Sequence, residues 1–319
     1  MNKPLISIIT TCKNSEKTIE SCIKSILNQT YPYIEYIIQD GGSVDKTLAI
    51  LNKYKGLVKV YSKGDRVADE GLISCYSKCT GYWIGTCLSD EVLKVDDVDK
   101  VVNIINSNTT YLNSGAVYSN CEVINFSKNK VKRNVWWASK TYGLDSFLKR
   151  RLKIPLLGTF FNNRVLTSCG IKHFRWGFDC AENELFLRVS LISDILYIGS
   201  SVGSYFVEGS NLSIQPNAVY IQMRGLFRLL EKNLNYKCQV PFYFKKINTY
   251  RSKQLMYLAY KFTETKSIKE AFDCYFTSTK YQFNLKDLVK FNFHLIKNST
   301  FKVNPLLLGK LIKKVRGLF

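Results

Sequence analysis

Two short apolar, β-branched runs, Leu5-Ile6-Ser7-Ile8-Ile9-Thr10 and Ile34 to Gln39, are each followed by a helical period, and this alternation constrains the fold more than any other feature. Runs of this length and composition suit buried central strands better than amphipathic helices. After Thr11-Cys12-Lys13-Asn14 the period changes. Ile19, Cys22, Ile23, Ile26 and Leu27 fall on one helical face, and Ser15, three residues before Thr18, is a candidate N-cap. The second run leads into the turn Asp40-Gly41-Gly42-Ser43-Val44-Asp45-Lys46-Thr47, then into Leu48, Ile50 and Leu51 at helical spacing. The β-α-β-α order predicts a mostly parallel sheet with right-handed crossovers, whose ligands gather at the carboxyl ends of its strands.

The turn at Asp40 stands at such an end. Gly41 and Gly42 allow close approach of a ligand to the backbone, and Asp40 can accept hydrogen bonds from a base or ribose. Read alone, the same residues also make an ordinary strand-to-helix turn with Asp and Ser as caps. A second carboxylate turn, Ser89-Asp90-Glu91, follows the apolar segment Gly81 to Leu88. Adjacent carboxylates repel unless a cation sits between them. Mg²⁺ or Mn²⁺ would take oxygen ligands there and keep positions open for phosphate. The alternative is a solvated turn leading to Asp96-Asp97-Val98-Asp99, an acidic run suited to a helix start.

Ser7-Ile8-Ile9-Thr10, Asn14, Ser25 to Gln29, the Asp40 to Thr47 turn and Ser89-Asp90-Glu91 together resemble the N-terminal half of family 2 glycosyltransferases of GT-A fold. Downstream, Pro155 to Phe161 with Asn162-Asn163-Arg164 resembles the acceptor-side segment of that family. Ala181-Glu182-Asn183-Glu184-Leu185-Phe186-Leu187-Arg188 resembles its acidic helix start, and Tyr205-Phe206 with Gly209 and Ser213 its closing strand and loop. Asp69-Glu70-Gly71 is similar to a segment of members that build surface polysaccharides, although Ile73 and Ser74 replace the aromatic and acidic residues that follow there. The resemblance spans about residues 4 to 213.

The resemblance implies an α/β fold, GT-A and Rossmann-like with a mostly parallel central sheet, over residues 1–215. It implies an inverting transfer from a nucleotide-sugar donor to a glycan or lipid-linked acceptor in surface polysaccharide synthesis. Glu182 is then the general base, Asp90 the ligand of a divalent metal, Mg²⁺ or Mn²⁺, and Asp40 a contact to the donor's base or ribose. Thr10, Asn14, Gly42, Ser43, Asp69 and Ser89 would join the donor site, with Glu91 and Glu184 supporting. Glu184, two residues from Glu182 on a helix, points elsewhere. Taken alone, Glu182 is equally a surface carboxylate in a first helical turn. One departure stands out: Leu88 occupies the position where the family usually has Asp or Asn two residues before the metal-binding Asp. A non-catalytic GT-A module that binds nucleotide or glycan and partners another transferase is the rival reading it motivates.

Charge sets the rest of the chain apart. From Pro216 onward there are 20 Lys and Arg against 5 Asp and Glu, a net +15 of the total +21, so residues 216–319 are expected to form a basic, mainly helical extension. At about 100° per residue, Leu307, Leu308, Leu311, Ile312, Val315, Leu318 and Phe319 share an arc of roughly 140°, opposite Lys310, Lys313, Lys314 and Arg316. Such a helix can lie on an anionic membrane surface, or dock on the catalytic domain by the same apolar face. The charge comes with no nucleic-acid-binding motif, so no nucleic-acid partner is expected. No apolar run reaches about 18 residues and the chain enters a strand at once, so a cytoplasmic protein, peripheral at the inner face of the membrane, is expected. Ten cysteines without metal spacing read as reduced packing thiols, and His173 and His294 as structural.

Overall fold

The computed structural model describes residues 3–64, 68–125, 130–134, 141–142, 154–170, 181–190 and 192–207, with scattered positions between 252 and 291. The chain divides into two compact units, Met1–Asn211 and Leu212–Phe319. In the first, the strands are β1 (Ile6–Cys12), β2 (Ile34–Asp40), β3 (Lys59–Ser62), β4 (Trp83–Thr86), β5 (Glu91–Val92), β6 (Ala116–Asn125), β7 (Lys130–Asn134), β8 (Thr141–Tyr142), β9 (Thr159–Asn162) and β10 (Ile195–Val207). The helices are α1 (Ile19–Leu27), α2 (Thr47–Asn52), α3 (Ala68–Lys78), α4 (Asp97–Ser107), α5 (Thr109–Leu112), α6 (Asn163–Ser168) and α7 (Ala181–Ser190).

The strands form one sheet in the order β3-β2-β1-β4-β9-β6-β10-β5, with β7 on β6 and β8 on β10. Strands β3, β2, β1 and β4 are mutually parallel, β9 runs against both β4 and β6, and β10 is parallel to β6. The expected α/β sheet is therefore present, but among the described residues it is mixed and not mostly parallel: four strand pairings are parallel and five antiparallel, because β5, β7, β8 and β9 run against their neighbours. Its central strands β1 and β2 are buried on both faces, their Ile-rich runs interrupted by the buried polar residues Ser7, Thr10, Glu35 and Gln39. Tyr36 and Ile38 of β2 join a core with Cys22, Ile23 and Ile26 of α1 and Val98, Val101 and Ile105 of α4. Gln39, on the alternate face, accepts from Ser74 of α3. Seven of the eight described cysteines are buried and all are free thiols, consistent with packing roles.

One expectation changes. Helix α1 begins at Ile19 with Thr18 as its N-cap, so Ser15 is not the cap. The Ser15 amide donates to Thr47 Oγ1 and its hydroxyl lies 2.9 Å from that of Ser89, which commits Ser15 to neighbouring loops. In the second unit every described residue is helical, including α8 (Ile268–Tyr281), whose Tyr275 stacks on Phe291 at 4.5 Å. Leu306 to Phe319, His173 and His294 lie outside the described residues. Among those described, no helix is long and apolar enough to cross a membrane.

Glu35 fastens the amino-terminal edge of the sheet. Its carboxylate accepts from Ser7 Oγ (2.6 Å), Lys59 Nζ (2.7 Å), Thr80 N (2.8 Å) and Thr80 Oγ1 (3.0 Å). Burial alone would push this carboxyl up, but the four donors outweigh it and hold it at about 2, against an ordinary value of 4.5. Because the folded value is the lower one, this stability is complete above pH 4.5 and is lost as pH falls toward 2. Allowing for the exposed Lys59 end of the pair, about 2–3 kcal/mol is expected to disappear across that window. Glu35→Gln should flatten this part of the curve in urea denaturation followed from pH 5 to 2. Equal acid slopes for parent and variant would show that Glu35 is not the group responsible.

Candidate functional site

The loops that follow β1 and β2 are tied to each other before any ligand is considered. Asn14 N donates to Ser43 Oγ (2.8 Å) and Val44 N donates back to Asn14 Oδ1 (2.9 Å). Glu16 N donates to Asp45 Oδ2 and Lys46 N to Glu16 Oε2. Asn14 holds φ at +53°, one of the few non-glycine side chains suited to that conformation. Gly42, at φ +82°, brings its backbone so near Gly64 that a Cβ would sit 3.2 Å from the Gly64 Cα. These residues make a rigid, glycine-lined rim at the carboxyl ends of β1, β2 and β3, where an α/β sheet receives its ligand.

Two of the expected donor contacts are placed differently. The Asp40 side chain is fully buried, and its carboxylate accepts from Gly42 N, Ser43 N, Ser43 Oγ and Ser62 Oγ. These bonds make it the shaping group of the loop. Thr10 is also fully buried. It donates to Cys87 O (2.6 Å) and lies beside Tyr36 Oη and Cys22 Sγ. It turns inward because it sits on the face of β1 that meets α1, in phase with Ile6 and Ile8. What Asp40, Gly42, Ser43 and Thr10 present outward is therefore the conformation of the loops they hold.

The second turn closes on itself. Glu91 N donates to Leu88 O (3.0 Å), and Leu88 N donates to Glu91 Oε2 (2.7 Å), so the buried Glu91 carboxylate caps the turn that carries Asp90 at its half-buried apex. Ser89 reaches the first loop through Ser15, and Cys22 Sγ donates to Leu88 O from below (3.3 Å). Glu91 then pairs with Tyr205 of β10. Leu88, half-buried beside Asp90, brings no ligand atom, and no group of three or more His, Cys, Asp or Glu that could hold a metal is found among the described residues. The single carboxylate of Asp90 still fits Mg²⁺ or Mn²⁺, since such ions are commonly held by one or two carboxylates with substrate phosphates and water completing the shell.

Glu182 and Glu184 both lie in the first turn of α7; the described side chains of that helix begin with Leu185 and Phe186. Phe186 packs on Phe161 of β9 at 5.4 Å, and Val189 lies against Gly115, at the start of β6. Gly115 N donates to Asp194 O just beyond the helix. Phe161 itself pairs with Ala116, so both of these contacts of α7 lie where β6 begins. Asp69 lies in the first turn of α3, with its side chain outside the described residues, as are Gly209 and Ser213.

Sequence reasoning passed over Ser62, which donates to Asp40, and Asp97, which is wholly buried although it sits in an acidic helix start. Ser62 ends a strand with no motif around it. Asp97 looks like its exposed neighbour Asp96, and nothing in the run distinguishes the two.

The model of the family described as glycosyl transferase family 2 matches residues 7–167. Hyaluronan synthase of Pasteurella multocida is 24% identical over 240 residues, covering 73% of this chain but 23% of the synthase. This chain thus spans about a quarter of that relative's length. A cholesterol galactosyltransferase of Borreliella burgdorferi is 25% identical, with 89% of each chain covered. Among solved structures, a mannosyltransferase of Pyrobaculum calidifontis in complex with GDP-Man and Mn²⁺ superposes with a TM-score of 0.56 at 15% identity, covering 95% of this chain and 82% of that one, which establishes the shared GT-A fold.

Proposed function

This chain belongs to glycosyl transferase family 2, and we propose that it is an inverting, metal-dependent glycosyltransferase that moves one sugar from a nucleotide-sugar to a glycan acceptor, lipid-linked, in surface polysaccharide synthesis. The observation that carries this reading is the closed Leu88–Glu91 turn, which presents Asp90 beside the stitched Asn14 and Ser43 loops at the carboxyl edge of the sheet.

In this mechanism the stitched loops receive the nucleoside and Ser89 and Asp90 face the diphosphate. A divalent ion held by Asp90 and the phosphates would offset the charge of the departing nucleoside diphosphate. A sugar hydroxyl is a weak nucleophile, so Glu182 takes its proton as the oxygen attacks the anomeric carbon. A single displacement inverts that carbon. Glu91 and Asp40 keep the two loops in shape, and Glu184 supports from the same helix. Leu88 is the specific observation that favours the rival, a nucleotide-binding module without turnover.

Assaying release of nucleoside diphosphate across UDP-, GDP- and dTDP-sugars, with and without Mn²⁺ and lipid-linked glycan acceptors, tests the proposal. Turnover of one donor with inverted product stereochemistry is expected. Nucleotide binding with no turnover under any pairing would favour the binding module.

The acceptor's lipid requires the enzyme to meet a membrane, and the basic segment Leu306 to Phe319 is the proposed contact. Removing it should release the protein from anionic liposomes, and added salt should weaken binding of the full chain as its lysines are screened. Equal co-sedimentation of both forms would assign that helix to docking on protein.

A further inference from the structure

Asp97 is the second carboxylate of an acidic helix start, a setting that usually leaves such groups in water, yet its side chain is completely buried. Its Oδ2 accepts from two backbone amides at 2.7 Å, Lys94 N just before α4 and Gly203 N in β10, more than a hundred residues away. Among the described residues none donates to its Oδ1; Lys100 Nζ lies 3.9 Å away. A buried carboxylate costs free energy unless it is well bonded, so its retention here calls for a reason.

Gly203 supplies the reason. Strand β10 changes register between Ser201 and Ser204, and within that irregularity Gly203 adopts φ +70°. Asp97 takes its amide on one side, while Leu157 presses on the other so closely that a Cβ would meet it at 2.9 Å. The next two residues pair with β5: Ser204 with Val92 and Tyr205 with Glu91. Glu91 in turn caps the Leu88 amide. A continuous set of bonds therefore runs from the Asp97 carboxylate through Gly203 and β5 to the turn that bears Asp90.

We propose that Asp97 is a positioning residue for the donor-binding turn: by holding the Gly203 amide it fixes β10 on β5 and thereby the orientation of the Leu88–Glu91 turn. This inference rests on the reading that Asp90 binds the donor's metal. Asp97 touches neither donor nor metal and acts through the backbone alone, as the outer partners of metal ligands do in other sites.

The test is calorimetry of the full chain with UDP and with GDP, each with and without Mn²⁺, on Asp97→Ala, Asp97→Asn and Asp90→Asn, with the exposed Asp96→Asn as comparator. In Asp97→Ala the Mn²⁺-dependent gain in nucleotide affinity is expected to fall about tenfold, with metal-free affinity within about twofold of the parent. Asp97→Asn, which keeps one acceptor for the amides, should recover most of the loss, and it carries the test if the Ala variant does not fold. Hydrogen exchange should accelerate in Leu88–Val92 and Ser204–Val207, leaving β1 and β2 unchanged. A purely structural role would lower the melting temperature without separating metal-dependent from metal-free affinity. Unchanged Mn²⁺ dependence in the folded Asp97 variants, with loss in Asp90→Asn, overturns the positioning role alone. Unchanged dependence in Asp90→Asn as well, or no binding of either nucleotide by the parent, overturns the reading of Asp90 and this inference with it.

Discussion

Replacing Glu182 by Gln is expected to lower glycosyl transfer by about 10²–10⁴ while leaving donor affinity nearly unchanged. Gln keeps the size and hydrogen bonding of Glu but cannot accept the proton that the acceptor hydroxyl must lose. The loss should therefore appear in kcat with saturating donor and not in nucleotide binding. Glu184→Gln should cost far less, because positions two residues apart on a helix are separated by roughly 200° about its axis. The comparison is internal: both changes remove one charge from the same helical turn, so a general effect on the dipole or on solubility would affect them alike. Activity of Glu182→Gln comparable to the parent, measured with a donor and acceptor the parent turns over, would show that the base lies elsewhere.

The elements that carry the site were legible because backbone physics wrote them into the sequence. Strands β1 and β2 announce themselves through short Ile-rich, β-branched runs, and α1 through Ile19, Cys22, Ile23 and Ile26 at helical spacing. The glycine turn and the Ser89-Asp90-Glu91 turn are local, so their residues lie together in sequence as in space. Side-chain direction was less legible. Thr10 and Asp40 carry the right chemistry for a donor contact, but β1 and β2 alternate, and the face of each strand that meets α1 and the loop's own amides claims both side chains. Ser15 misled for a related reason, since its capping capacity was taken up by Thr47 and Ser89 across two other loops. Long-range pairings were not legible at all. Gly203 bonds to Asp97 only because β10 is irregular at that point, and no spacing rule connects two positions so distant in the chain.

Asp90→Asn is expected to remove the Mn²⁺-dependent part of nucleoside diphosphate affinity, a loss of about 100-fold or more for a direct ligand of the ion. The expectation is sharper here than it would be with two flanking carboxylates, because Leu88 offers no ligand atom and Glu91 is already bonded to the Leu88 amide, so neither neighbour can take over the role. The same geometry fixes the sign of the converse change. Leu88 is half-buried on the turn and its side chain makes no hydrogen bond to lose, so Leu88→Asp would add a carboxylate two residues before Asp90 and should tighten Mn²⁺ by about tenfold, whereas Leu88→Ala should leave metal dependence nearly unchanged. Calorimetry with and without Mn²⁺ reads all three variants on one scale. If nucleotide binding is independent of metal in the parent and survives Asp90→Asn, Asp90 is not the ligand. Leu88 would then mark a site that holds the diphosphate charge by other means.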